Sequence, residues 1–205
     1  ASDYMFHKLI PNPGNGGVCI DIGAHIGGAT LALLSQGYTL RSVEAIPSNA
    51  DLLWRNVCLN EWNGRVLLYN MAIGADDGTP TAVVIDCVAA PTSSQAMHRF
   101  IGSTCKKASE SELQPQAIVP SVSLATVIGD AERIELLKMD CEGAERAALT
   151  ACPTELLDRI QVVVAELHLG WTNAECAALF PNHDNVTGEY GMNTDHYIIL
   201  RKKAA

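Results

Sequence analysis

The chain has 205 residues, 48% of them hydrophobic and 18% charged, and its 14 Lys and Arg against 23 Asp and Glu leave a net charge of −9. That length supports a buried core without disulfide or metal staples, and the composition excludes bulk disorder. The acidic balance disfavours nucleic acid and anionic membranes as partners, since both repel it at long range, and no run reaches the ~20 apolar residues of a membrane-spanning helix.

Val18–Ile22 is a short apolar run of the kind buried on both faces of a sheet. It follows a Pro-, Gly- and Asn-rich turn from Pro11 to Gly17 and precedes Gly23, Gly27 and Gly28. Ala29–Gln36 then predicts a helix that stops at Gly37. Thr39–Ala45 reads as a second strand, Ser48 or Asn49 as the cap of a helix running to about Asn60, and Arg65–Ile73 as a third strand. Strands and helices alternating at these lengths predict a parallel sheet with right-handed crossovers. Residues 74–130 break the rhythm. They hold a strand-like run at Thr81–Val88, a Ser-, Thr- and Lys-rich middle, and a second run ending near Val122. The alternation resumes with a strand at Ile134–Asp140, a helix from about Ala144, a strand at Gln161–Leu167 and a helix near Asn173–Leu179, before a last strand at Tyr197–Arg201. The expectation is one α/β domain over residues 1–205, with a mostly parallel central sheet, helices on both faces and an irregular, substrate-facing segment at 74–130.

Seven cysteines (Cys19, Cys58, Cys87, Cys105, Cys141, Cys152 and Cys176) form no C-x-x-C pair and several sit in apolar runs. They read as small hydrophobes in a reducing compartment rather than as a disulfide or zinc framework. No signal-peptide pattern opens the sequence, so a cytoplasmic location is expected. The sequon Asn185-Val186-Thr187 reads as an unmodified loop.

Asp21-Ile22-Gly23-Ala24-His25-Ile26-Gly27-Gly28 joins the first strand to the first helix. Ligands of open α/β sheets bind beyond the carboxyl ends of the strands, where glycines let backbone come close. Glu44 ends the second strand, where a carboxylate takes the hydroxyls of a ribose, so an adenosine-containing cofactor is indicated. The glycines are spaced G-x-x-x-G rather than G-x-G-x-x-G. Asp21 would oppose a pyrophosphate but suits the cationic part of S-adenosyl-L-methionine, which disfavours NAD.

Val18–Gly27 resembles the first motif of class I S-adenosylmethionine-dependent methyltransferases, and Val43-Glu44-Ala45-Ile46-Pro47 their second. Leu136-Leu137-Lys138-Met139-Asp140-Cys141-Glu142-Gly143-Ala144-Glu145 is similar to the signature of the FkbM methyltransferases. Val119–Leu124 looks like that family's lead-in, and Ala165-Glu166-Leu167-His168 like its E-x-H ending of the fifth strand. His25 departs from the pattern, standing where many members carry Asn. The resemblance implies a Rossmann-like class I methyltransferase fold, S-adenosyl-L-methionine as cofactor and usually methyl transfer to oxygen. It assigns Asp21, Gly23, Ala24, Gly27, Glu44, Ala72 and Asp140 to the cofactor.

Lys138 and Asp140 share one strand face, as do Glu166 and His168, and the two pairs converge if their strands are neighbours. His168 is the candidate base for a hydroxyl proton, with Asp140 positioning the acceptor or orienting His168. Lys138 reads equally as a catalytic residue or as a neutraliser of nearby acids. His25, Glu142, Glu166 and Trp171 are candidates to face the acceptor, a small molecule or glycan. Glu145 reads first as charge at a helix N-terminus. Trp54 and Trp62 read as packing residues. Asp140, Glu142 and His168 suit a Mg or Mn ion by type, but their spacing does not require one, and no metal is assigned. Methylation of nitrogen or carboxylate, and a non-catalytic cofactor-binding module, are the alternatives.

Overall fold

The computed structural model describes residues 6–10, 16–85, 103–107, 117–192 and 196–204. Residues 11–15 of the predicted Pro11–Gly17 turn, the end of the Thr81–Val88 run beyond residue 85, and most of the Ser-, Thr- and Lys-rich middle lie outside the described residues.

The strands are β1 (Val18–Ile22), β2 (Thr39–Val43), β3 (Val66–Tyr69), β4 (Ala72–Gly74), β5 (Pro80–Ile85), β6 (Ser103–Lys107), β7 (Ala117–Ser123), β8 (Ile134–Met139), β9 (Val162–Glu166), β10 (His183–Asn185) and β11 (Tyr197–Lys202). The helices are α1 (Phe6–Leu9), α2 (Gly28–Ser35), α3 (Pro47–Leu59), α4 (Leu124–Ile128), α5 (Glu145–Ala151), α6 (Thr154–Leu157) and α7 (Asn173–Ala178). Seven strands form the central sheet in the order β10-β11-β9-β8-β1-β2-β3. β3, β2, β1, β8 and β9 run parallel, and β11 is antiparallel to β9 and β10. Chain order reverses between β1 and β8, which opens a crevice at their carboxyl ends.

The run Val18–Ile22, predicted to be buried on both faces, is so, and β8 beside it is as well. Cys19 of β1 and Leu136 of β8 pack with Ala29, Leu33 and Leu34 of α2 and Leu53 and Val57 of α3 on one face. Ile20, Ile22, Leu137 and Met139 pack on the other with Leu124 and Val127 of α4, Leu149 of α5 and Cys176 of α7. Cys19, Cys58, Cys141, Cys152 and Cys176 are free thiols, and burial raises Cys152 to about 11 and Cys176 to about 12. No described helix is long and apolar enough to cross a membrane.

Several boundaries differ from the sequence expectation. The single third strand breaks in two, because β3 ends at Tyr69 and β4 pairs in parallel with β7 in another sheet. Asn70 makes the break: its side chain donates to Glu44 O at 2.8 Å and pulls the chain across the end of β2. Residues 74–130 are more regular than expected. They contribute β5, β6 and β7, which with β4 make a four-stranded sheet in the order β4-β7-β5-β6. Ser121 and Ser123 tie that sheet down through Asp76 and Asp77, and Ser123 caps α4 by accepting from Thr126 N–H. Helix α3 starts at Pro47, one residue before the expected caps, with Ile46 preceding it and no side-chain cap. Proline's fixed φ suits that first position. Asn185 lies in β10, a strand absent from the sequence reading, and not in a loop. Trp62 packs beside α3, whereas Trp54 is 39% exposed and is not a core residue.

Candidate functional site

The turn after β1 is built by backbone contacts. Gly23 and Ala24 both donate N–H to Val43 O at 3.0 Å. Gly23 has φ +73°, and a Cβ there would stand 1.8 Å from Asp140 O. Its glycine is therefore required to let the ends of β1 and β8 lie side by side. Gly27 has φ +102° at the N-cap of α2 and supplies no side-chain cap. The first N–H groups of that helix are left for another acceptor. Ala24 is buried against α2.

Glu44 follows β2 and is 6% exposed. Its Oε2 accepts from His25 N–H at 2.8 Å, and its Oε1 from Ile46 N–H at 2.9 Å and Asn49 Nδ2 at 3.4 Å. The carboxylate thus clamps the turn after β1 to the start of α3, and it holds His25 at φ +52°. Ala72 is fully buried with Ile46 and Val119, so it backs this corner and presents no polar contact.

Asp21 is fully buried in mid-sheet. Its Oδ2 accepts from Thr30 Oγ1 at 2.7 Å, and its Oδ1 lies 3.4 Å from Lys138 Nζ. Lys138 also donates to Ile22 O at 3.3 Å and Gly23 O at 3.0 Å, and stands 3.8 Å from Asp140 Oδ2. The cation beside Asp21 is therefore Lys138, and the pair locks the turn. The expected exposure of Asp21 to the charged part of a ligand is not found, because β1 places it in the core of the sheet. Lys138 reads as the neutraliser of the two alternatives.

β8 and β9 are neighbours, and the two predicted pairs converge. One ligand atom each of Asp140, Glu166 and His168 lies within 4.8 Å of the others. His168 Nε2 is 3.4 Å from Glu142 Oε2 and 3.8 Å from Glu166 Oε1. Its Nδ1 bonds Glu145 Oε1 at 2.9 Å. Glu145 is 1% exposed and also accepts from Cys141 N–H and Gly143 N–H, each at 2.9 Å. It supplies the negative charge in the first turn of α5 that the sequence suggests, without a side-chain cap, and it is also the partner of His168, which the sequence reading missed.

The hydrogen bond that His168 Nδ1 donates to Glu145, opposed by partial burial and reinforced by the charges of Glu145, Glu142 and Glu166, pushes the imidazole up to about 9. Burial alone would raise Glu145, but the bonds from His168 and Cys141 outweigh it and hold that carboxyl below its usual range. Burial, with Asp140, Glu166 and Glu145 nearby, raises Glu142, against the attraction of His168. Glu142 sits at φ +57°, and Gly143 follows at φ +109° with Leu169 packed where a Cβ would be. Trp171 is in the core and does not wall a cleft: its backbone N–H bonds His168 O at 3.1 Å and the residue is 5% exposed. Ile26 and Leu169, which follow His25 and His168 in sequence, are 39% and 82% exposed.

A separate cavity of about 430 Å³ opens at the amino ends of β8 and β9, lined by Leu9, Ile10, Arg133, Glu135, Val162 and Arg201. It contains none of the candidate residues and faces away from the strand ends where the carboxylates meet.

The description "Methyltransferase FkbM domain" matches residues 21–196. No curated protein matches the sequence. The methyltransferase FkbM structure from Methylobacillus flagellatus is similar over 91% of this chain and 43% of its own, with a TM-score of 0.55 and 14% identity. This chain therefore spans less than half the length of that protein. Streptococcus pneumoniae Sp1610, described as a tRNA (m1A22) methyltransferase and solved with S-adenosyl-L-methionine, is similar over 93% of this chain and 68% of its own, with a TM-score of 0.50 and 6% identity. At these identities the likeness is one of fold.

Proposed function

The chain belongs to the FkbM methyltransferase domain family, and from that premise we propose that it transfers a methyl group from S-adenosyl-L-methionine to a hydroxyl of a small molecule or glycan. The observation that carries the reading is the meeting of Asp140, Glu166 and His168 at the strand ends beside the glycine turn.

The residues present fit the cofactor. Helix α2 begins without a side-chain cap, so its first N–H groups suit a carboxylate such as that of a methionine moiety. Glu44 stands at the strand end beside that turn. It accepts three hydrogen bonds of the roughly four that a carboxylate takes, which leaves capacity for a ribose hydroxyl. Gly23, Ala24 and Gly27 shape the wall between them, Ala72 backs it, and Asp21 acts through Lys138 by fixing the turn carbonyls. When bound, S-adenosyl-L-methionine supplies an electrophilic methyl group on a sulfonium.

The chain's own residues then orient the acceptor and handle its proton. Asp140 and Glu166 flank the hydroxyl and hold it beside His168. His168 Nε2, in its deprotonated form, receives the proton, while Glu145 holds Nδ1 and stabilises the imidazolium; because the imidazole sits at about 9, turnover should rise as pH approaches that value. Glu142 and His25 border the acceptor. A cluster of proton acceptors suits oxygen methylation, because a hydroxyl must lose its proton. The net charge of −9 argues against an RNA acceptor. We read residues 1–205 as a single methyltransferase domain, and the reduced cysteines favour a cytoplasmic setting.

Incubation with methyl-labelled cofactor and a panel of hydroxyl compounds and glycans tests this. Label in an alkali-stable ether supports it. An alkali-labile ester or a methylamine product replaces it with carboxyl or nitrogen transfer. Cofactor binding without transfer to any acceptor leaves a non-catalytic module.

A further inference from the structure

We propose that Asp140, Glu166 and His168 form a binding site for a divalent cation of the Mn²⁺ type. The proposal rests on the methyltransferase reading for its use, since the ion would sit where the acceptor is placed, but not for its chemistry.

Three observations meet here. The first is the ligand set. Two carboxylates and an imidazole, from the end of β8 and the end of β9, bring one donor atom each within 4.8 Å. Ligands held ~2.0–2.6 Å from a hard cation lie about 3–5 Å from one another, so side-chain rotation alone closes this set. A mixed oxygen and nitrogen set suits Mn²⁺ better than Mg²⁺, which prefers oxygen, and the lack of thiolate disfavours zinc of the structural type.

The second is the support behind the histidine. Glu145, 1% exposed, accepts from Nδ1 at 2.9 Å and is itself pinned by Cys141 N–H and Gly143 N–H. This fixes the tautomer and turns Nε2 toward the carboxylates, the arrangement in which a carboxylate orients a metal-binding imidazole.

The third is charge. Lys138 is held by Asp21 and by the carbonyls of Ile22 and Gly23, with Asp140 only at 3.8 Å. Among the described residues, Glu142 and Glu166 share His168, at 3.4 and 3.8 Å, while Asp140 has only the lysine that Asp21 and two carbonyls already hold. Three carboxylates against one imidazole and a lysine shared with Asp21 leave negative charge that a divalent ion neutralises. Side-chain exposures of 35% for Asp140, 30% for Glu166 and 19% for His168 leave the cluster open to an ion from solvent. An ion with three protein ligands keeps open positions, and an acceptor hydroxyl placed on one becomes more acidic; with Nε2 on the ion, the hydroxyl proton passes to neighbouring Glu142 in place of His168.

The test is a titration of the full chain, freed of metal with EDTA and dialysed, with Mn²⁺ followed by electron paramagnetic resonance of the free ion. We expect about one Mn²⁺ bound per chain below about 1 mM. Asp140→Asn and Glu166→Gln should each weaken binding at least about tenfold, whereas Asp51→Asn on α3 should not. Pulsed measurements should show coupling to a bound nitrogen that His168→Gln removes; circular dichroism checks that each variant is folded. Absence of binding, or binding that the cluster variants leave unchanged, overturns the proposal. Calorimetry with S-adenosylhomocysteine on the metal-free chain separates the two claims. If it binds and Mn²⁺ does not, only this inference fails; if neither binds, the methyltransferase reading fails with it.

Discussion

Replacing Glu44 with Gln separates the two tasks proposed for that carboxylate. In the structure its oxygens face two backbone donors, His25 N–H at 2.8 Å and Ile46 N–H at 2.9 Å. A glutamine keeps one acceptor oxygen and puts an NH₂ group where the other was. Whichever way it turns, one backbone N–H meets a donor. A hydrogen bond to a charged acceptor is worth about 1.5–3 kcal/mol, and one is lost outright while the other loses its charge. We expect Glu44→Gln to lower unfolding stability by about 2–3 kcal/mol, read from urea denaturation. A ribose bound through the same carboxylate loses a charge-assisted bond as well, so S-adenosylhomocysteine affinity should fall about 10–100-fold by calorimetry on the folded variant. A fall in stability with unchanged affinity would mean that Glu44 only clamps the turn and that the ribose binds elsewhere. Unchanged stability would refute the clamp.

Lys138→Met should destabilise the fold by about 3–5 kcal/mol in the same denaturation, because it strands the buried Asp21 carboxylate; a folded, fully stable variant with lost turnover would restore a catalytic role for Lys138. Gly23→Ala should cost more than ~2 kcal/mol, from φ +73° and from the collision with Asp140 O, and a wild-type melting temperature would contradict that packing. With chelator present, His168 titrates near 9 against about 6.5 when unfolded. Its contribution of about 3 kcal/mol is therefore full below pH 6.5 and lost as pH rises through 9, and Glu145→Gln should flatten that alkaline slope of stability.

The strands that carry the site were legible because they are buried on both faces. Val18–Ile22 is apolar but for Asp21, and Ile134–Met139 but for Glu135 and Lys138, and each is followed by a glycine or acidic residue that breaks the pattern. The convergence of Asp140 with Glu166 and His168 followed from strand alternation once β8 and β9 paired. What escaped depends on partners distant in sequence. Asp21 looked available to a ligand because its neutralising partner, Lys138, lies on another strand. Glu145 looked like a simple helix cap because His168 stands 23 residues away. The break at Asn70 has no local signal, since its cause is a carbonyl at the end of β2. The second sheet assembles from strands separated by long connections, which period alone does not pair. Trp171 lies next to polar candidates in sequence, yet the turn that follows His168 sends it into the core.

The most direct test of the central claim is a crystal structure of the chain with S-adenosylhomocysteine. The account predicts the ribose on Glu44, the amino-acid carboxylate at the start of α2, and the sulfur facing Asp140, Glu166 and His168. A ligand bound at the amino ends of β8 and β9, or with its sulfur turned away from that cluster, would contradict it.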